Sequence, residues 1–196
     1  MLKKYTLLFI LILFLSNIFA QDTIDIGLAI CKPTLIFSNF FRNYYEKKYD
    51  SEIRITIHKS KNFVYGSKFN FGYYQNEKAT VAYNLRPKLF IGYKNEPFHF
   101  TKLYLIFSLG YSNVQLNNAK YNYKENFSGI NADIEFQYEL MTKYNIGIYA
   151  FLNWEHSYFF SDNFSKLQYF KHSNIIMYGI GLKYQISNKK IKNETI

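Results

Sequence analysis

Residues 127–140 read Phe-Ser-Gly-Ile-Asn-Ala-Asp-Ile-Glu-Phe-Gln-Tyr-Glu-Leu, and the fold is legible in that stretch. Ile130, Ala132, Ile134, Phe136, Tyr138 and Leu140 take one side of an extended chain. Gly129, Asn131, Asp133, Glu135, Gln137 and Glu139 take the other. Successive side chains of a strand point to opposite faces, so a period of two marks a strand with one apolar and one polar face. Residues 174–187 repeat the scheme, with Ile176, Tyr178, Ile180, Leu182, Tyr184 and Ile186 opposite Gly179, Gly181, Lys183 and Gln185.

Working outward, eight segments alternate in this way: 24–31, 52–58, 63–74, 80–94, 98–114, 127–140, 144–158 and 174–187. Their polar faces hold Asp25, Glu52, Arg54, Lys68, Arg86, Lys88, Lys94, Lys102, Asp133, Glu135, Glu139, Glu155 and Lys183, and their apolar faces hold no charge. All nine glycines of the chain also fall on the polar side. Alternation leaves open which face is inside. A soluble lipocalin-like barrel would turn the apolar face inward, and a membrane barrel turns it outward to lipid. An eight-stranded barrel has an interior just wide enough for side chains to fill, too small for this many Tyr, Phe, Leu and Ile. Glycines suit a crowded lumen, whereas on a solvated face they would only weaken the strands. The expected fold is all-β: an eight-stranded antiparallel up-and-down transmembrane β-barrel with a polar lumen filled by side chains.

The connections between these segments run 20, 4, 5, 3, 12, 3 and 15 residues. Short turns alternate with longer loops, as periplasmic turns alternate with external loops in outer-membrane barrels. Pro87 inside the fourth segment predicts a bulge or a local edge. On the same phasing Phe90, Tyr104, Ile106 and Met177 point inward, so the lumen is mixed.

The ends and the composition agree with export. Lys3 and Lys4, the apolar run 7–15 and Ile18-Phe19-Ala20 have the pattern of a cleaved signal peptide over residues 1–20. The apolar run is far shorter than the roughly 20 residues of a spanning helix. Residues 21–187 are expected to form the barrel and 188–196 a short polar tail. Removal of Lys3 and Lys4 takes the 24 basic residues to 22 against 14 acidic ones. In an exported chain that excess points to lipid phosphates, lipopolysaccharide or an acidic glycan, and away from nucleic acid. Cys31 is the single cysteine, which excludes an intrachain disulfide and leaves it as a small buried residue. Twenty Tyr and twenty Phe, with only three prolines, favour strands.

The signal peptide, the strand count and the glycine–aromatic closing strand resemble the outer-membrane β-barrel families of Bacteroidota, including PorT-like proteins. Gly181-Leu182-Lys183-Tyr184-Gln185-Ile186 is similar to their C-terminal assembly signal, a glycine followed by alternating hydrophobics. The resemblance implies a Gram-negative outer-membrane location and insertion by the barrel-assembly machinery, and it implies no particular activity.

A search for chemistry returns little. His58, His99, His156 and His172 share no metal-ligand spacing, so neither metal nor cofactor is expected. His58 and Ser60 have the spacing of a nucleophile and its base, but they fall in a short turn, away from the outer leaflet. Adjacent His156 and Ser157 must face opposite ways, and His156 with Trp154 fits an interfacial girdle. The expected site is structural. Arg86 and Lys88 are expected to meet Asp133 and Glu135 across the lumen, in a charge network that also takes in Lys102, Glu139 and Glu155. The expected role is non-enzymatic, structural or binding, through external loops or a rim that hold an unidentified protein or glycan. A lipid A-modifying enzyme of the same architecture is the alternative.

Overall fold

A computed structural model describes residues 23–36, 47–58, 62–75, 80–98, 101–118, 122–141, 145–160 and 171–187. The expected signal peptide (1–20) and polar tail (188–196) lie outside the described residues. Eight strands run in order: β1 (Thr23–Ile36), β2 (Lys47–His58), β3 (Phe63–Gln75), β4 (Thr80–Phe98), β5 (Thr101–Asn118), β6 (Tyr123–Met141), β7 (Ile146–Phe159) and β8 (His172–Ser187). Each pairs antiparallel with its sequence neighbour, and β1 with β8, to close a barrel. The register shows how steeply the strands tilt. Starting at Thr23, the ladder partners are His58, Val64, Gly92, Ile106, Glu135, Asn153 and Met177, and Met177 pairs with Pro33. One circuit slips ten residues along β1, a stagger that closes only if the strands incline by roughly 35–45° to the axis.

The apolar face is outside. Leu28, Ile30, Leu89, Ile91, Leu109, Phe136 and Ile180 are among the large hydrophobic side chains exposed on the outer wall. Twelve of the thirteen face-assigned charges are buried inside, and Lys102 is partly so. This is the reverse of a lipocalin-like barrel. Two belts of tyrosine frame the outward band. Tyr65, Tyr93, Tyr138 and Tyr184 ring the end that holds both strand termini, and Tyr49, Tyr73, Tyr83, Tyr111 and Tyr158, with Trp154 just beneath, ring the far end. Along β3 and β4 the belts stand eight to ten residues apart, roughly 20–25 Å of axial height at that tilt, close to the apolar band of a membrane barrel.

Several strands outrun the expectation. β2 is 12 residues long rather than the short 52–58, and β4, β5 and β6 reach 19, 18 and 19 residues. Residues expected in the third and fifth loops enter strands instead, so 76–79 and 119–122 are as brief as the turns at the other end. Only 37–46 and 160–171 remain long. The added length of β1 turns Lys32 outward, an exception to the charge-free outer wall. It stands level with Tyr178 near the far belt, where a long lysine stem can carry its charge to the interface. Pro87 makes a local edge and no bulge: Arg86 and Pro87 drop out of the β4–β5 ladder while its register stays the same on either side, and the register shift lies between Asn95 and Phe98.

The lumen glycines are seats for aromatic rings. A carbon added at Gly181 would lie 2.4 Å from Tyr149 Cζ, at Gly179 2.8 Å from Phe151, and at Gly66 2.7 Å from Phe90. Phe90, Tyr104, Ile106 and Met177 are buried inside, as the phasing required. The lumen also holds an apolar plug at the far end, where Tyr74, Ala82, Val114, Leu116, Phe127, Phe159 and Ile175 pack together. Tyr74, Ala82, Val114, Phe127 and Ile175 share the inward parity within the expected segments, and only Leu116 and Phe159 lie beyond them. The expectation weighed the charges and glycines of that face and named only Phe90, Tyr104, Ile106 and Met177 as its apolar members.

Candidate functional site

The inward charges join into two clusters. In the middle of the barrel, nine side chains alternate in sign along one chain of contacts: Glu52, Arg54, Glu135, Lys68, Asp133, Lys88, Glu155, Arg86 and Asp50. Arg54 Nε donates to Glu52 Oε1 at 2.8 Å and its Nη2 to Glu135 Oε2 at 2.8 Å. Lys68 Nζ spans Asp133 Oδ1 at 2.8 Å and Glu135 Oε2 at 3.0 Å. Lys88 bridges Asp133 and Glu155, and Arg86 bridges Glu155 and Asp50. Side-chain exposure is nil along the chain from Glu135 to Asp50.

Neutral groups add to the coordination. Asn70 Nδ2 donates to Glu52 Oε2 at 3.1 Å, Ser157 Oγ donates to Glu155 Oε1 at 3.2 Å, and Arg54 donates to Gln137. The Arg54 guanidinium is also 5.7 Å from the Phe90 ring centroid and 5.6 Å from that of Tyr149, within the range of cation–π attraction. Isolated charges in such surroundings would be costly, and alternation of sign with hydrogen bonding is what makes their burial tolerable.

The second cluster lies at the terminal end. His58 Nε2 meets Asp25 Oδ2 at 2.7 Å, and Lys183 Nζ donates to Asp25 Oδ2 at 2.5 Å and pairs with Glu139 Oε2 at 2.6 Å. Lys102 stands 3.7 Å from Glu139 Oε1. Between the clusters, a pocket lined by Gly27, Thr56, Ile106, Gln137 and Tyr149 has about 10 Å³ of free space, roughly enough for one water molecule.

Seven residues were expected in a lumen network, and the structure divides them. Arg86, Lys88, Asp133, Glu135 and Glu155 lie in the central chain, and Lys102 and Glu139 lie in the terminal cluster. Lys88 meets Asp133, but Arg86 does not meet Glu135. β4 runs to Phe98 and β5 begins at Thr101, and with Leu85 opposite Asn113 and Lys88 opposite Gly110, Arg86 comes level with Ser112 rather than with the expected Ile106. Arg54 and Lys68 take Glu135 in its place. Glu52, Arg54, Lys68, Asp25 and Lys183 carried the same face signal, and only the missing register kept them out of the expected network. Asp50 fell outside the short second segment, although its two-residue spacing from Glu52 was readable. His156 is exposed and Ser157 buried, on opposite faces as required. Ser60 and His99 lie outside the described residues. Among the described residues, no three His, Cys, Asp or Glu side chains converge as metal ligands would.

The fold is that of the eight-stranded outer-membrane barrels. Ail, the attachment invasion locus protein of Yersinia pestis, matches with a TM-score of 0.56 at 9% identity, over 85% of this chain and 99% of that one. A major outer membrane protein of Thermus thermophilus gives 0.52 at 8% identity over 84% and 99%. The N-terminal β-barrel domain of Pseudomonas aeruginosa OprF gives 0.50 at 14% identity over 85% and 98%. No protein-family model matches the chain, and no curated protein matches it in sequence. Likeness at these identities concerns the shape of the barrel, not its role.

Proposed function

We propose that this chain is a non-enzymatic outer-membrane barrel of the PorT-like kind, a closed anchor that presents connections 37–46 and 160–171 to the cell exterior. The central charge chain carries this reading. It fills the lumen between the walls with buried ion pairs of alternating sign, so the barrel is built as a plug rather than a conduit. The outward band between two tyrosine belts supports residence in a bilayer, and the closing segment 181–186 supports insertion by the barrel-assembly machinery. The basic balance suits lipopolysaccharide phosphates or an acidic glycan as the surface neighbour. Fractionation of expressing cells tests the location: heat-modifiable protein should sediment with the outer membrane, and recovery in the periplasmic or culture fluid would overturn it. Lipid A mass spectra test the role. Identical spectra from deletion and parent strains are expected, and a lost acyl or phosphate modification would make the barrel an enzyme.

A further inference from the structure

Two histidines outside both charge clusters meet on the outer wall near the far belt. Tyr158 pairs with His172 and His156 with Asn174 in the β7–β8 ladder, so His156 and His172 are diagonal neighbours on one face. Both are exposed. His172 Nδ1 stands 3.4 Å from His156 Nε2, with ring centroids 5.4 Å apart.

Each ring is also held from behind. Asn174 Oδ1 is 2.8 Å from His156 Nδ1. An amide oxygen only accepts, so this contact puts the proton on Nδ1 and leaves Nε2 of the neutral ring with a free lone pair. The Tyr158 ring packs against His172 at 5.2 Å between centroids, inclined by 58°. In the metal-free rings His172 Nδ1–H donates to the His156 Nε2 lone pair; in the other neutral tautomer of His172 the proton sits on Nε2 and Nδ1 turns a lone pair toward His156. Two lone pairs then face one small volume.

The spacing has a chemical meaning. A zinc–imidazole bond is about 2.0–2.1 Å, and two such bonds at a tetrahedral angle set their nitrogens about 3.3–3.4 Å apart. The observed separation is that bite. Imidazole suits Zn²⁺ and Cu²⁺, and a hydrogen bond to the non-ligating nitrogen is how ligand histidines are usually oriented. We infer that His156 and His172 form a two-histidine site for a divalent transition-metal ion, Zn²⁺ or Cu²⁺, with water completing its coordination. An ion bound there links β7 to β8 where they flank connection 160–171. Which compartment supplies the ion rests on the topology proposed above; binding itself does not.

The test uses Trp154, the only tryptophan in the sequence. It lies on the same strand and the same outward face two residues from His156, close enough for bound Cu²⁺ to quench its fluorescence. Titration of the folded, detergent-solubilised protein with Cu²⁺ should give saturable quenching at one ion per chain, and Zn²⁺ should compete. His156→Gln and His172→Gln should each abolish the saturable phase, with His156→Ala and His172→Ala as a second pair if either folds poorly by heat-modifiable migration. His99→Gln should leave it unchanged, and Asn174→Ala should weaken it about tenfold or more. Saturable quenching that survives loss of either histidine, or a wild type that shows only the linear quenching of the His156→Gln variant, would overturn the site.

Discussion

Glu135 shows what one residue carries in this lumen. It accepts from Arg54 and Lys68 with its side chain fully buried. Glu135→Ala leaves both cations short of a partner, and removal of one member of a buried pair typically costs about 3–5 kcal/mol. Equilibrium unfolding in urea should show that loss, and Arg54→Ala in the same chain should return part of it. Arg86→Ala combined with Glu135→Ala should come closer to additivity, because the carboxylates of Arg86 are Asp50 and Glu155. Stronger coupling to Arg86 than to Arg54 would contradict the contacts described. Glycines offer a second contrast. A carbon on Gly129 would lie 2.1 Å from the Tyr158 carbonyl oxygen, whereas the nearest atoms to one on Gly27 belong to the Tyr149 side chain, its hydroxyl at 3.1 Å. Backbone cannot step aside as a ring can, so Gly129→Ala should reduce the unfolding free energy measured in urea more than Gly27→Ala does, by about 1–3 kcal/mol as overpacking. Equal effects would count against the close approach. At this scale the sequence showed each charge's face, because a face depends only on parity. It did not show the partner, because a partner depends on level.

Level is set by the elements, and the β4–β5 hairpin shows how. The turn lies three residues beyond the place that the segment pattern suggested, and every residue a turn moves shifts the facing strand by two. Arg86 was displaced by six positions as a result. The pattern could not reveal this, since residues 95–98 are neither clearly alternating nor clearly a turn. β6 and β8 were read closely because their alternation is unbroken. β2 was read short because Ser51 interrupts the apolar side between Tyr49 and Ile53. Strand order also fixes which connections share an end: those between β1 and β2 and between β7 and β8 lie opposite both termini. Cysteines placed at Tyr121 or Lys166 should react with an impermeant reagent on intact cells, and one at Glu96 only after the outer membrane is breached. Labelling at Glu96 alone on intact cells would invert the barrel.

The molecule as a whole should not conduct. Eight strands enclose little more than their own side chains, whereas open porins use about sixteen. Here the central charge chain and the apolar plug occupy successive levels of the lumen. Planar bilayers containing the purified protein should show no reproducible conductance steps at neutral pH. Steady nanosiemens openings, absent from blank preparations, would mean that the charge chain parts and that transport belongs among its roles. The ladder that completes the cylinder has a further consequence, one of timing. All fourteen residues of β1 pair with β8, and the Asp25–Lys183 contact joins positions 158 apart. The first strand emerges early and waits for the last with one edge unpaired. Contacts so distant in the chain form slowly, and an open edge invites pairing with another molecule. Chains truncated before His172 should accumulate as aggregates even where every earlier hairpin is intact, because closure is the last event and the one that makes the rest permanent.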